Sequence, residues 1–211
     1  MADWVPHYWP AFVIGLFVLI YWIKVLQLVR ATKRKAGHHA NLIPEEKLGR
    51  LIRMVWIPVV CLWIILPLMA SIGLFADFLP FQPLFVSTAL AWVALAIAFV
   101  AFVITWVCWI KMGTSWRMGI DPNEKTQLIL SGPFSYVRHP IYGLSQLMMV
   151  MTMLILPSPL MLLVGVLHIF FMQWEVRRED RYLVNAHGEV YARYQQNVGR
   201  FLPKSLHAYR P

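Results

Sequence analysis

The sequence predicts an all-α integral membrane protein of about five transmembrane helices, the last two forming a helical hairpin. Three observations carry this. Of 211 residues, 59% are hydrophobic and only 14% charged, where soluble domains carry about 25% charged residues. Four stretches, 4–23, 54–76, 78–110 and 141–174, contain no Asp, Glu, Lys or Arg, and crossing the hydrocarbon core takes about 20 apolar residues. The last stretch holds two shorter helices, because Pro157-Ser158-Pro159 near its middle is a turn signal.

Taken in order, spans 1 and 2 occupy about 8–29 and 54–76 and flank a basic loop, 30–53. In that loop Asn41 as a cap, Pro44 and the acidic pair Glu45-Glu46 are helix-start signals. Leu48, Leu51 and Ile52 then lie along the membrane interface. His38 and His39 are adjacent and have no further ligand nearby, so no metal site is expected. Span 3, about 84–110, ends in the anchor Trp106, Trp109 and Lys111. Span 1 lacks the basic start of a cleaved signal peptide. Cys61 and Cys108 sit inside spans without CxxC spacing and read as packing residues.

Orientation follows from the basic residues. Residues 1–7 and 77–83 have none, whereas 30–53, 111–138 and the tail after 174 hold all but Lys24, which snorkels to the same side. The N-terminus is expected outside and the C-terminus in the cytoplasm. The net charge of +9 reads as topology and attraction to anionic membrane lipids, with no nucleic-acid partner. A scaffold, 1–105, and a C-terminal region, 106–211, are the expected divisions.

The C-terminal region carries the chemistry. Pro140 suits the first position of a helix and His139 its cap. The amides of Ile141, Tyr142 and Gly143 then form the positive end of a helix dipole beside Arg138, a setting that binds anions. Tyr142, Ser145, Gln146 and Met149 fall on one helical face. Polar groups at that depth face protein or a cavity, and His168 and Gln173 on the return helix could share the space. Interhelical hydrogen bonding by Gln146 and His168 is the other reading. Several methionines offer a lining suited to a lipid-like tail. In the tail, the like-charged pairs Glu175/Glu179 and Arg177/Arg181 do not favour an isolated helix. Gly188 ends that helix, and another follows with Tyr191, Tyr194 and Val198 on one face.

Together these residues resemble the isoprenylcysteine carboxyl methyltransferase family and its phospholipid methyltransferase relatives. The pattern is Gly132-Pro133-Phe134, Arg138-His139-Pro140-Ile141-Tyr142, a hairpin, Glu179-Asp180, Leu183, Gly188, Tyr191, Tyr194 and Pro203. MGTSWRMGI (112–120) is similar to a stretch found in bacterial members, which implies a bacterial inner-membrane protein. Asp180 stands where the family usually has Glu, Gly143 is displaced from the usual position, and Thr126 and Leu130 replace the usual His and Thr. The resemblance implies S-adenosyl-L-methionine as cofactor and a cytoplasm-facing site. It implies a cofactor set of Arg138, His139, Pro140, Tyr142, Gly143, Glu179, Asp180, Tyr191 and Tyr194, with Arg138, His139 and Glu179 catalytic. Gln146, Met149 and His168 are then the pocket for a lipophilic or lipid-modified acceptor. An NADPH-dependent membrane reductase of the steroid or enone type and a catalytically silent scaffold are the rival readings.

Overall fold

A computed structural model describes residues 5–36, 47–74, 78–118 and 128–210. His38, His39, Asn41, Pro44 and Thr126 lie outside the described residues. The described chain is helical: α1 (Val5–Ala36), α2 (Lys47–Ser71), α3 (Thr88–Met112), α4 (Pro140–Ile155), α5 (Pro159–His187) and α6 (Glu189–Asn197). α1, α2, α3 and α5 are each long and apolar enough to cross a membrane. α4 is the short one. Its 16 residues span about 24 Å at 1.5 Å per residue, less than the roughly 30 Å hydrocarbon core.

Leu48, Leu51 and Ile52 open α2 itself rather than a separate interfacial helix. The second hairpin helix is also longer than its apolar stretch suggests, 29 residues instead of about 16. Nothing between Glu175 and His187 breaks a helix. Arg178 offsets the like-charge pairs by meeting Glu175 at 3.3 Å and lying 4.5 Å over the Trp174 ring. The helix stops at Gly188, whose φ of 56° suits glycine.

One apolar core draws on α1 to α5, with Ile14, Val18, Trp63, Ala98, Met148 and Met161 at its centre. α3 packs chiefly on α4, and α1 on α2. Ser158 caps α5 by accepting from the Met161 amide at 3.3 Å. At Gly165 the two arms of the hairpin approach so closely that a Cβ would lie 2.2 Å from Met153 Sδ. Interhelical hydrogen bonds tie the apolar elements together: Trp63 Nε1 donates to Thr152 Oγ1 at 3.0 Å, and Gln173 Nε2 donates to Gln146 Oε1 at 3.0 Å. Ser145 Oγ and His168 Nε2 are 3.2 Å apart. Within a membrane such bonds average about 0.6 kcal/mol each, so they fix register more than they add stability.

Candidate active site

The turn before α4 and the charged end of α5 converge. Pro140 occupies the first position of α4 and His139 the cap, but the imidazole makes no capping bond. It turns to α5 instead, with Nε2 2.8 Å from Asp180 Oδ1 and Nδ1 3.9 Å from Glu179 Oε2. Of the helix-start amides, Gly143 is not open as expected: it donates to His139 O at 3.0 Å, the first turn of the helix.

Asp180 is the hub. Besides His139 it accepts from the Tyr191 hydroxyl at 2.6 Å, Arg138 Nη2 at 3.3 Å and Arg200 Nε at 3.0 Å. Four donors on one buried carboxylate fill its acceptor capacity. Burial, together with the bond to Asp180, pushes the Tyr191 hydroxyl well above the usual phenol range. Arg138 Nη1 meanwhile binds the carbonyls of Gln195 and Val198 at the end of α6. The backbone joins the same clamp, because the amides of Arg138 and His139 donate to Gly199 O at 2.8 Å and Arg200 O at 3.0 Å. The tail is thereby fastened to the mouth of α4.

Beside this clamp opens a cavity between α1, α2, α4 and α5. Phe134, Arg138, His139, Pro140, Ile141, Tyr142 and Ser145 form one wall, and Met172, Glu175 and Glu179 of α5 form another. Tyr21 and Trp22 of α1, Arg53 and Trp56 of α2, and Trp109, Trp116 and Arg117 close it. Its chemistry is aromatic walls with buried charge of both signs. Glu179 Oε2 is buried and has no hydrogen-bond partner among the described residues.

The sequence-predicted residues therefore separate into groups. Arg138, His139, Pro140, Tyr142 and Glu179 line the cavity. Asp180, Tyr191 and Tyr194 stand behind it, with the Tyr194 hydroxyl bonded to Phe134 O. Gly143 lies against Phe201, whose Cδ1 would be 3.4 Å from an added Cβ. Gln146 pairs with Gln173, Met149 is in the core, and His168 lies beneath the cavity between the rings of Trp63 and Trp56 at 4.7 and 6.1 Å. Arg53, Trp56, Trp116 and Glu175 were not singled out from sequence as site residues. The signal for Arg53 was its place as the last charge before the 54–76 stretch, which positive-inside topology alone already explained.

Among the described residues no group of His, Cys, Asp and Glu is arranged to hold a metal. No curated protein matches the chain. Residues 83–185, a little under half of the chain, match the model of the Isoprenylcysteine carboxyl methyltransferase (ICMT) family. The match takes in α3, the α4 entrance with Arg138 and His139, and Glu179-Asp180, and it stops before Tyr191. With apolar helices long enough to span a bilayer, this match supports a membrane methyltransferase.

Proposed function

We propose that the protein transfers a methyl group from S-adenosyl-L-methionine to a lipophilic acceptor drawn from the membrane, at the cytoplasmic face. The observation that carries this is Glu179: among the described residues its buried Oε2 has no hydrogen-bond partner, only His139 Nδ1 at 3.9 Å, and it lies in a cavity walled by Trp22, Trp56, Trp116 and Tyr142. Leaving such an oxygen unpaired costs about 1–3 kcal/mol or more, which a cationic ligand offsets. Aromatic faces attract the same cation by about 0.5–2 kcal/mol. These residues fit the cofactor.

When bound, S-adenosyl-L-methionine supplies an activated methyl on a sulfonium. The chain's own residues have three tasks. Glu179 and Glu175 would accept hydrogen bonds from the ammonium group, and the aromatic walls would exclude water from the reacting atoms. The amides of Ile141 and Tyr142 at the start of α4 would orient the ligand, where alignment of reactants is worth several kcal/mol. His139, its Nε2 tied to Asp180, presents Nδ1 on the Glu179 side. It takes the proton from an amine acceptor, whereas a carboxylate or thiolate acceptor arrives ionised and needs no base. The acceptor enters sideways from the bilayer between the spans.

The charges fit a cytoplasmic site. Arg30, Lys33 and Arg34 at the end of α1, Lys47 and Arg50 at the start of α2, and Lys111 at the end of α3 are exposed near the helix ends that frame the cavity, as positive-inside topology requires.

The test is direct. Purified protein incubated with membrane extract and cofactor carrying a deuterated methyl should give a lipophilic product that carries the deuterated methyl, formed faster than without protein. No labelled product from any lipid fraction would count against the assignment.

A further inference from the structure

We infer that Arg53 is the cavity's carboxylate-binding residue, holding the amino-acid end of the cofactor across from Glu175 and Glu179. This rests on the methyltransferase reading above. It assigns a ligand contact to α2, which lies outside the family-matched segment 83–185.

Arg53 sits in the second turn of α2 and is 8% exposed. Its guanidinium carbon lies 5.0 Å from the centroid of the Trp56 ring. Trp56 is stacked in turn on the His168 ring below. The guanidinium is thus held in place by packing, and among the described residues no carboxylate oxygen lies within 4.0 Å of it. Taking a cation out of water costs several kcal/mol unless a counter-charge meets it. Topology does not require that burial, because Lys47 and Arg50 on the same helix end carry exposed positive charge.

The other arginine expected to meet a carboxylate is already engaged. Arg138 spends Nη1 on the carbonyls of Gln195 and Val198 and Nη2 on Asp180. Arg53 has a planar fork suited to two-point binding of a carboxylate.

The sign pattern across the cavity completes the case. Glu175 and Glu179 line the same space as Arg53. Glu175 is paired with Arg178 at 3.3 Å. A cavity with an open guanidinium on one wall and two carboxylates on another matches an α-amino acid: carboxylate to Arg53, ammonium to Glu175 and Glu179. The cofactor's methionine end has these two groups on one carbon.

Isothermal titration of the full-length protein in detergent tests this, using S-adenosylhomocysteine and its decarboxylated analogue, which keeps the ammonium and loses the carboxylate. The parent should prefer S-adenosylhomocysteine at least about tenfold, the factor given by 1.4 kcal/mol of binding energy. Arg53→Gln should erase that preference and leave the analogue's affinity unchanged, which also shows that the variant is folded. Arg53→Lys should keep part of it. An Arg53→Gln protein with the parent's preference overturns the assignment, as does one that alters acceptor KM alone. A parent that binds neither ligand overturns the methyltransferase reading itself.

Discussion

His139 Nε2 lies 2.8 Å from Asp180 Oδ1, joining the cap of α4 to the charged C-terminal end of α5. Because Asp180 also receives Tyr191, Arg138 and Arg200, it organises the site without facing the cavity. Its work is positional: it turns the imidazole so that Nδ1 faces Glu179.

Asp180→Asn should therefore unfasten the tail. Removing one member of a buried charge cluster costs about 3–5 kcal/mol, since Arg138 is then left buried without its carboxylate. Thermal unfolding in detergent should show a markedly lower midpoint, with α6 and the tail gaining amide hydrogen exchange before the apolar helices do. Equal protection of both regions would contradict the clamp.

Tyr191→Phe leaves one Asp180 lone pair unsatisfied and should cost about 1–3 kcal/mol. The pH dependence has a defined sign. The folded-state phenol pKa is raised above its ordinary value by burial and by Asp180, so its stabilisation is fully present below about pH 10 and is lost as pH rises further. The parent should lose stability on the alkaline side of pH 10, and Tyr191→Phe should flatten that limb. An identical alkaline limb in both proteins would contradict the buried bond.

Glu179→Gln should separate function from stability. The melting midpoint should fall only slightly, because Oε2 makes no hydrogen bond among the described residues and its neighbour His139 Nδ1 is 3.9 Å away. Methyl transfer should fall by roughly 10- to 100-fold, the loss of one charge-assisted hydrogen bond of about 1.5–3 kcal/mol. Parent-level transfer by this variant would remove Glu179 from the site.

Gly165→Ala tests the hairpin. The new Cβ would meet Met153 Sδ at 2.2 Å, forcing that side chain aside at a cost of about 1–3 kcal/mol. Adding Met153→Ala should recover part of the loss. A double variant no more stable than Gly165→Ala would mean that the arms do not pack at this position.

The helices were legible because apolar runs and their charged boundaries are local features. The α4 entrance was legible as well: Pro140 at the first helical position and the Arg138-His139 pair announce a charged cap. The division of labour within the site was not. Glu179 and Asp180 are neighbours in sequence, yet helical geometry turns one to the cavity and the other to four donors, and the identity of those donors is a tertiary fact. Tyr191 and Tyr194 share a face as their spacing requires, but that face packs against the clamp. Arg53 and Trp56 were hidden because a cavity-facing residue and a lipid-facing residue obey the same helical period in a membrane segment.

The central claim is that this cavity receives the methyl donor. Its most direct measurement is the melting midpoint of the purified protein with added S-adenosylhomocysteine or NADPH. S-adenosylhomocysteine at a hundred times its Kd should add about 2.7 kcal/mol of stability, and Glu179→Gln should remove about half of that gain or more. A midpoint raised by NADPH alone would contradict the account.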